Sequence, residues 1–199
     1  SKKFEREYPY IWLDATFPKV REGGHVHSMA FVVAMGVNDI GEREILGFDV
    51  GMSEDGAFWT EFLRGLKRRG LKGTQLVISD AHEGLKKSIR EVLTGATWQR
   101  CRVHFMRNVL SQVPRKQQNL VSAIVKTIYA TENKKSAEEQ LENVTAQLNI
   151  RFPKAMEILK SGCEDSFSYM GFPSEHWAQL HSTNPLERLN REIRRRTDV

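Results

Sequence analysis

The stretch "SMAFVVAMGV", residues 28–37, constrains the fold most. It is apolar at odd and even positions alike, so as an extended strand it must be covered on both sides, as a central strand of a sheet is. Its neighbours agree. "YIWLDATF" (10–17) has a strand's aromatic and apolar composition, with Asp14 inside it, and after the turn "NDIGE" the stretch "REILGFDVG" (43–51) reads as another strand. These three form an antiparallel meander. An amphipathic helix follows from about Asp55 to Arg69, with Phe58, Phe62, Leu63 and Leu66 at helical spacing. "TQLVIS" (74–79) is a short strand ending at Asp80. The helix after it runs from about His82 to Leu93 with Leu85, Ile89 and Val92 inward. "TWQR" (97–100) is a fifth strand, and "VHFMRNVL" opens a further helix. Three antiparallel strands followed by strand–helix units predict an α/β fold, a mixed five-stranded sheet flanked by helices.

The texture changes near Pro114. From Arg115 to about Gly162 there are only helical patterns, with Leu120, Ile124 and Ile128 as one stripe and Leu141, Val144 and Leu148 as another. Ser136 with Glu139 makes a capping box between them. We therefore expect a core over 1–113, an all-helical insertion over 114–176, and a return to the core over 177–199 on a last helix at 184–196. The chain opens without a methionine and stops just after an arginine-rich helix, so a piece of something longer is expected.

Charge narrows the partner. The 199 residues carry a formal net charge of +5, with a pI near 9.3. "RGLKRRGLKG" (64–73), "RCRVHFMR" (100–107) and the last helix, with Arg188, Arg191, Arg194, Arg195 and Arg196, are three separate basic clusters. A single charge run is usually a solvated face; three in one small chain favour nucleic acid. Two cysteines are too few for a disulfide framework, which favours a reducing compartment. No apolar run approaches the ~20 residues of a membrane span, and no signal-peptide pattern is present. The expected location is the cytoplasm.

Three carboxylates sit at ends of elements. Asp14 lies in a strand, where propensity and desolvation both disfavour it, unless backbone amides satisfy it. Asp80 follows an apolar strand, at the end where open sheets bind ligands; with Glu83 it also fits a capping box. Glu187 in "HSTNPLERLNREIRRR" (181–196) falls at a capping-box position behind Asn184 and Pro185. It borders the apolar stripe Leu186, Leu189 and Ile193 on one edge, and Glu192 borders it on the other, so helix geometry does not choose between them. Three such carboxylates brought together repel unless cations neutralise them. Mg²⁺ is a hard ion that takes carboxylates and phosphate oxygens together, and two such ions serve in-line phosphoryl displacement.

The strand order, Asp14, the Asp80 of "SDAHEGL" and the Glu187 of "STNPLERLNREIRRR" together resemble the catalytic domain of Mutator-type insertion-sequence transposases. "WQRCRVHFMRN" adds that family's C-x-x-H signature at Cys101 and His104. The resemblance runs from about Tyr10 to Thr197. It implies a ribonuclease H-like fold, a DDE triad of Asp14, Asp80 and Glu187 (which selects Glu187 over Glu192), and two Mg²⁺ or Mn²⁺ ions without a nucleotide cofactor. It also implies double-stranded DNA as partner, at least a dimer when two ends are paired, and a place at the bacterial nucleoid. Arg188, Asn190, Arg191, Arg194 and Arg195 are the expected DNA contacts. Cys101 and His104 could be half of a zinc site with Cys163 and His176, but the spacing is loose. A structural or substrate-positioning role is expected instead, and zinc is not. His25 and His27 in "GGHVHS" are expected in an exposed hairpin, and Trp59, Trp98 and Trp177 in the core. The competing functions are a ribonuclease H-like nuclease without strand transfer and a non-catalytic DNA-binding module derived from a transposase.

Overall fold

The computed structural model describes residues 3–53 and 55–181, together with Leu186, Arg188, Leu189, Arg191, Glu192 and Arg195. Seven strands are assigned among them: β1 (Tyr10–Thr16), β2 (Lys19–Glu22), β3 (His25–Ser28), β4 (Ala30–Val37), β5 (Arg43–Gly51), β6 (Leu76–Ser79) and β7 (Thr97–Arg100). Five form one sheet in the order β5-β4-β1-β6-β7. β4 is antiparallel to both β1 and β5, whereas β6 runs parallel to β1. This is a mixed sheet, as the element order predicts. β4, the stretch that reads as doubly covered, is buried at all but one position.

β2 and β3 form a separate two-stranded hairpin. Their turn is Gly23–Gly24, with φ of 57° and 83°, the left-handed geometry that suits a tight hairpin turn and that glycine adopts without a steric cost. His25 is exposed there and His27 half-buried.

The chain divides into two compact units, 1–98 with 183–199, and 99–182. In the first, helices α1 (Gly56–Arg68) and α2 (Glu83–Val92) cover one face of the sheet. Ile11 and Leu13 of β1, Val32 and Ala34 of β4, Leu46 of β5 and Val77 of β6 pack there against Trp59, Phe62, Leu63, Leu66, Leu85 and Ile89. Phe58, expected on the inner stripe, is only partly buried; Trp59 takes that place. The other face carries Tyr10, Trp12, Asp14, Thr16, Val33 and Ile78, all buried as well.

The second unit is helical: α3 (Arg102–Ser111), α4 (Gln118–Lys126), α5 (Lys134–Leu148), α6 (Pro153–Gly162) and α7 (Trp177–Leu180), joined by short 3₁₀ turns. It has its own core, including Phe105, Val109, Val121, Val125, Val144, Met156 and Phe167. The division falls at 98/99 and 182/183, whereas the change of texture suggests Pro114 and 176/177. The reason is α3, whose Phe105 and Val109 belong to the helical core. Two local details of this unit also differ from expectation. On α4 the buried stripe is Val121 and Val125, continued by Ile128 in the 3₁₀ turn that follows, while Leu120 is 53% exposed. α5 begins one turn before Ser136, because Asn133 accepts from the Ser136 amide and is the cap. Of the last helix, the six described residues are helical and Leu186 is buried.

Candidate active site

Strand register bears on where the two aspartates lie. β1 and β6 are neighbours, and Tyr10 pairs with Leu76, Ile11 with Val77 and Trp12 with Ile78. The pairing ends there; the same offset carried two residues further would set Asp14 level with Asp80. Residues in register on paired strands point to the same side, and adjacent strands lie about 4.8 Å apart. Asp14 is 7% exposed, on the face opposite α1 and α2. Asp80 lies one residue beyond β6 and is exposed.

Both carboxylates are fixed in the same way. The Ala15 amide donates to Asp14 Oδ1 at 3.0 Å, and the Ala81 amide donates to Asp80 Oδ1 at 2.8 Å. Asp80 is not a helix cap, contrary to the capping-box expectation. The cap of α2 is His82, whose Nδ1 accepts from the Leu85 amide at 3.3 Å. The backbone at Asp80 has a second tie. Ser79 Oγ donates to the Asp80 carbonyl at 2.9 Å and accepts from Trp98 Nε1, also at 2.9 Å. Trp98 is thus a half-buried hydrogen-bond donor to the residue preceding Asp80 rather than a plain core residue, and Lys86 lies over its ring at 4.6 Å. The composition of "TWQR" gives no hint of that bond; it depends on β6 and β7 being neighbours.

Glu187, Asn190 and Arg194 lie outside the described residues, as does Arg196. Glu192 is held by Arg195 through two bonds, Nε at 3.1 Å and Nη2 at 2.7 Å. This ion pair raises the pKa of Arg195 and occupies both oxygens of the competing glutamate. Arg188 and Arg191 are exposed. Among the described residues, no three or more histidine, cysteine, aspartate or glutamate side chains gather as a metal-binding group. None of the described helices is long and apolar enough to cross a membrane.

Cys101 is buried and His104 half-buried at the start of α3. Cys163 faces Tyr129 and Ser166, and burial pushes its thiol up to about 11, so at neutral pH it is a protonated core group. Trp59 is in the core as expected, but Trp177 is half-buried and donates through Nε1 to the Phe172 carbonyl at 2.8 Å.

Comparison with known proteins agrees over the whole chain. The family model described as "Transposase, Mutator family" matches residues 1–199. Over 192 residues the chain is 42% identical to the transposase for insertion sequence element IS1081 of Mycobacterium tuberculosis, a match that takes in 96% of this chain and 46% of that protein. It is 40% identical over 197 residues to the transposase for insertion sequence element IS256 in transposon Tn4001 of Staphylococcus aureus, covering 98% and 50%. With the transposase for insertion sequence element ISRM5 of Rhizobium meliloti it shares 39% over 199 residues, covering 100% and 50%. The chain therefore spans about half the length of these relatives.

Proposed function

Because the chain belongs to the Mutator family of transposases, we propose that it carries the catalytic site for cutting and rejoining DNA at the ends of an insertion sequence. The observation that supports this most is the register of β1 on β6, whose offset, continued past Trp12 and Ile78, would set Asp14 level with Asp80 just beyond β6. Two carboxylates at that spacing, one of them buried, repel each other and ask for a hard cation. The donor set, all carboxylate oxygen, fits Mg²⁺ or Mn²⁺ and not a thiolate-seeking metal. Asp14 and Asp80 would hold such ions, with Glu187 from the last helix as the third ligand. Bound divalent ions supply a lowered pKa for the attacking hydroxyl and charge stabilisation for the leaving oxygen.

The chain's own residues do the rest. The Ala15 and Ala81 amides lock each carboxylate in one orientation, and the Trp98–Ser79 pair holds the backbone of Asp80. Arg188, Asn190, Arg191, Arg194 and Arg195 grip the phosphates that flank the scissile bond, which fixes position and confers salt dependence. Water first breaks a phosphodiester at the element end and frees a 3′-hydroxyl. That hydroxyl then attacks a target phosphodiester and displaces a strand, so no covalent protein intermediate forms. Two ends held together require at least two copies of the protein, working at the nucleoid. Cys101 and His104 position the start of α3 rather than bind zinc.

The test is a nicking and joining assay with the full-length protein, an element-end duplex and a plasmid target. Asp14→Asn, Asp80→Asn and Glu187→Gln should each abolish both steps and leave duplex affinity nearly intact. Wild-type nicking by any one of them removes that residue from the site. Cleavage without joining of a supplied 3′-hydroxyl end would identify a nuclease instead.

A further inference from the structure

The outer margin of the sheet carries aromatic and apolar side chains that the proposed cleavage does not use. β5 is the edge strand, and Ile45, Phe48 and Val50 on it are all exposed, Phe48 by 67%. Register shows which side of the sheet they take. Phe48 pairs with Val33 of β4, and Val33 pairs with Asp14 of β1. Two residues along, Val50 pairs with Phe31, and Phe31 with Thr16. Paired residues share a face, so Phe48, Val33 and Asp14 form one row across the sheet, on the side away from α1 and α2. Two strand spacings make the step from Asp14 to Phe48 about 10 Å. The rings agree with the register: Phe31 and Phe48 stack with centres 5.8 Å apart and planes 18° from parallel.

The chemistry of this margin selects a nucleobase. Along β5 the charged side chains are sorted by face. Arg43 is exposed and pairs with Val37, which puts it on the face of Ile45, Phe48 and Val50. Glu44 and Asp49 pair with Gly36 and Val32, on the side where Val32 and Leu46 meet α1. The result is a cation in line with stacked rings, with the strand's carboxylates turned away. Single-stranded nucleic acid asks for that combination, since its phosphates take the cation and its bases stack on the rings. A second copy of the chain added edge to edge fits less well, because side chains already hold backbone groups of β5. Arg69 Nη1 donates to the Leu46 carbonyl at 2.6 Å, and the Val50 amide donates to Asp49 Oδ1 at 2.8 Å. An edge blunted in this way is a poor template for another strand.

We propose that Phe48, backed by Phe31, is a stacking platform for an unpaired base of the DNA strand whose phosphate lies at Asp14. This edge of the sheet would then hold the strand beside the scissile bond. The placement of that phosphate rests on the function proposed above; the affinity of the rings for an unpaired base does not.

The test uses the full-length protein in buffer with chelator and no divalent ion, so cleavage plays no part. Fluorescence anisotropy compares three element-end duplexes: fully paired, with a short unpaired tail, and with the same tail made abasic. The wild type should prefer the tailed duplex by roughly tenfold, and the abasic tail should lose that preference. Phe48→Ala and Phe48→Leu should lose it too, while Phe48→Trp keeps it; a margin that is merely apolar would tolerate leucine. Because Phe48 is exposed, all three variants should keep the wild-type urea midpoint. Equal affinity of the wild type for tailed and paired duplexes overturns the proposal, as does a Phe48→Leu protein that keeps the preference. A Phe48→Ala protein that elutes as a smaller species and still prefers the tail also overturns it, and assigns the margin to contact between copies. A protein that prefers the tail yet fails to cut the element end in Mg²⁺ refutes the catalytic reading alone. One that cuts without the preference refutes the platform alone.

Discussion

Ser79 occupies a position where one hydroxyl serves two masters, as acceptor for Trp98 Nε1 and donor to the Asp80 carbonyl. Ser79→Ala would strip the indole of its acceptor and release the backbone that carries the carboxylate. Leaving a half-buried donor unsatisfied costs about 1–3 kcal/mol, and, with Asp80 in the metal-holding role proposed above, its loosened carboxylate should lower kcat by roughly tenfold or more while KM for the duplex stays put. Denaturation curves and single-turnover kinetics would check the two parts separately. A second contrast lies between two glycines. A Cβ on Gly84 would come 2.9 Å from the Gly56 backbone nitrogen and 3.0 Å from its Cα, where α1 and α2 cross, whereas one on Gly65 would meet only the tip of Arg68 at 3.7 Å. Gly84→Ala should therefore destabilise by about 1–3 kcal/mol. Gly65→Ala, in the interior of α1, should stabilise by roughly 0.5–1 kcal/mol. Urea midpoints for the two variants should move in opposite directions.

At the scale of the element, α4 shows which information sequence carries and which it does not. In "NLVSAIVKTI" the residues Leu120 and Ile124 form one apolar pair at helical spacing, and Val121 with Val125 forms another. The pattern fixes a helix but not its rotation; the helical core does, by burying Val121 and Val125 and leaving Leu120 out. Val125→Ala should thus cost roughly 1–3 kcal/mol and Leu120→Ala less than about 0.5 kcal/mol. The same ambiguity governs helix starts. Asn133 and Ser136 are both good caps, and the structure uses the earlier one, so Asn133→Ala should cost about 1 kcal/mol and Ser136→Ala almost nothing. Thermal melts of the four variants would test both statements. The large strands and the first two helices were legible because their apolar periods are long and unshared. β2 and β3 were legible only as the hairpin expected around His25 and His27, their strands being short, polar and set by the Gly23–Gly24 turn. At the proposed site, chemistry made the two aspartates candidates beside their structural readings, and the family resemblance selected them. Their common face needed the register of β1 on β6, and the Trp98–Ser79 tie needed β6 beside β7.

For the molecule as a whole, the two units differ in how they should respond to alkali. The helical unit holds Cys163, pushed up to about 11, Tyr169, pushed up to about 12, and Tyr129, raised well above the ordinary tyrosine value, each chiefly by burial. In the sheet unit Tyr8 is raised, by burial and by Glu44. A group whose folded pKa is raised holds its proton more tightly when folded. Its stabilisation is complete below the unfolded pKa and is lost as pH climbs through the folded one. For Cys163 that window opens near 9.0 and closes near 11, which amounts to roughly 3 kcal/mol. Tyr169 extends the loss from 10.0 to about 12. Urea denaturation from pH 8 to pH 11 should show falling stability. Amide exchange should show protection lost first from α4, α5 and α6, with β1 and β4 protected for longer. Cys163→Ala should lower stability at pH 8 through the cavity it leaves, yet flatten the slope between pH 9 and 11, because the titrating thiol is gone. A slope identical to that of the wild type would mean that the thiol does not stay protonated through that window. Iodoacetamide offers an independent check: Cys163 should resist alkylation at pH 8 in the folded protein and react readily in urea.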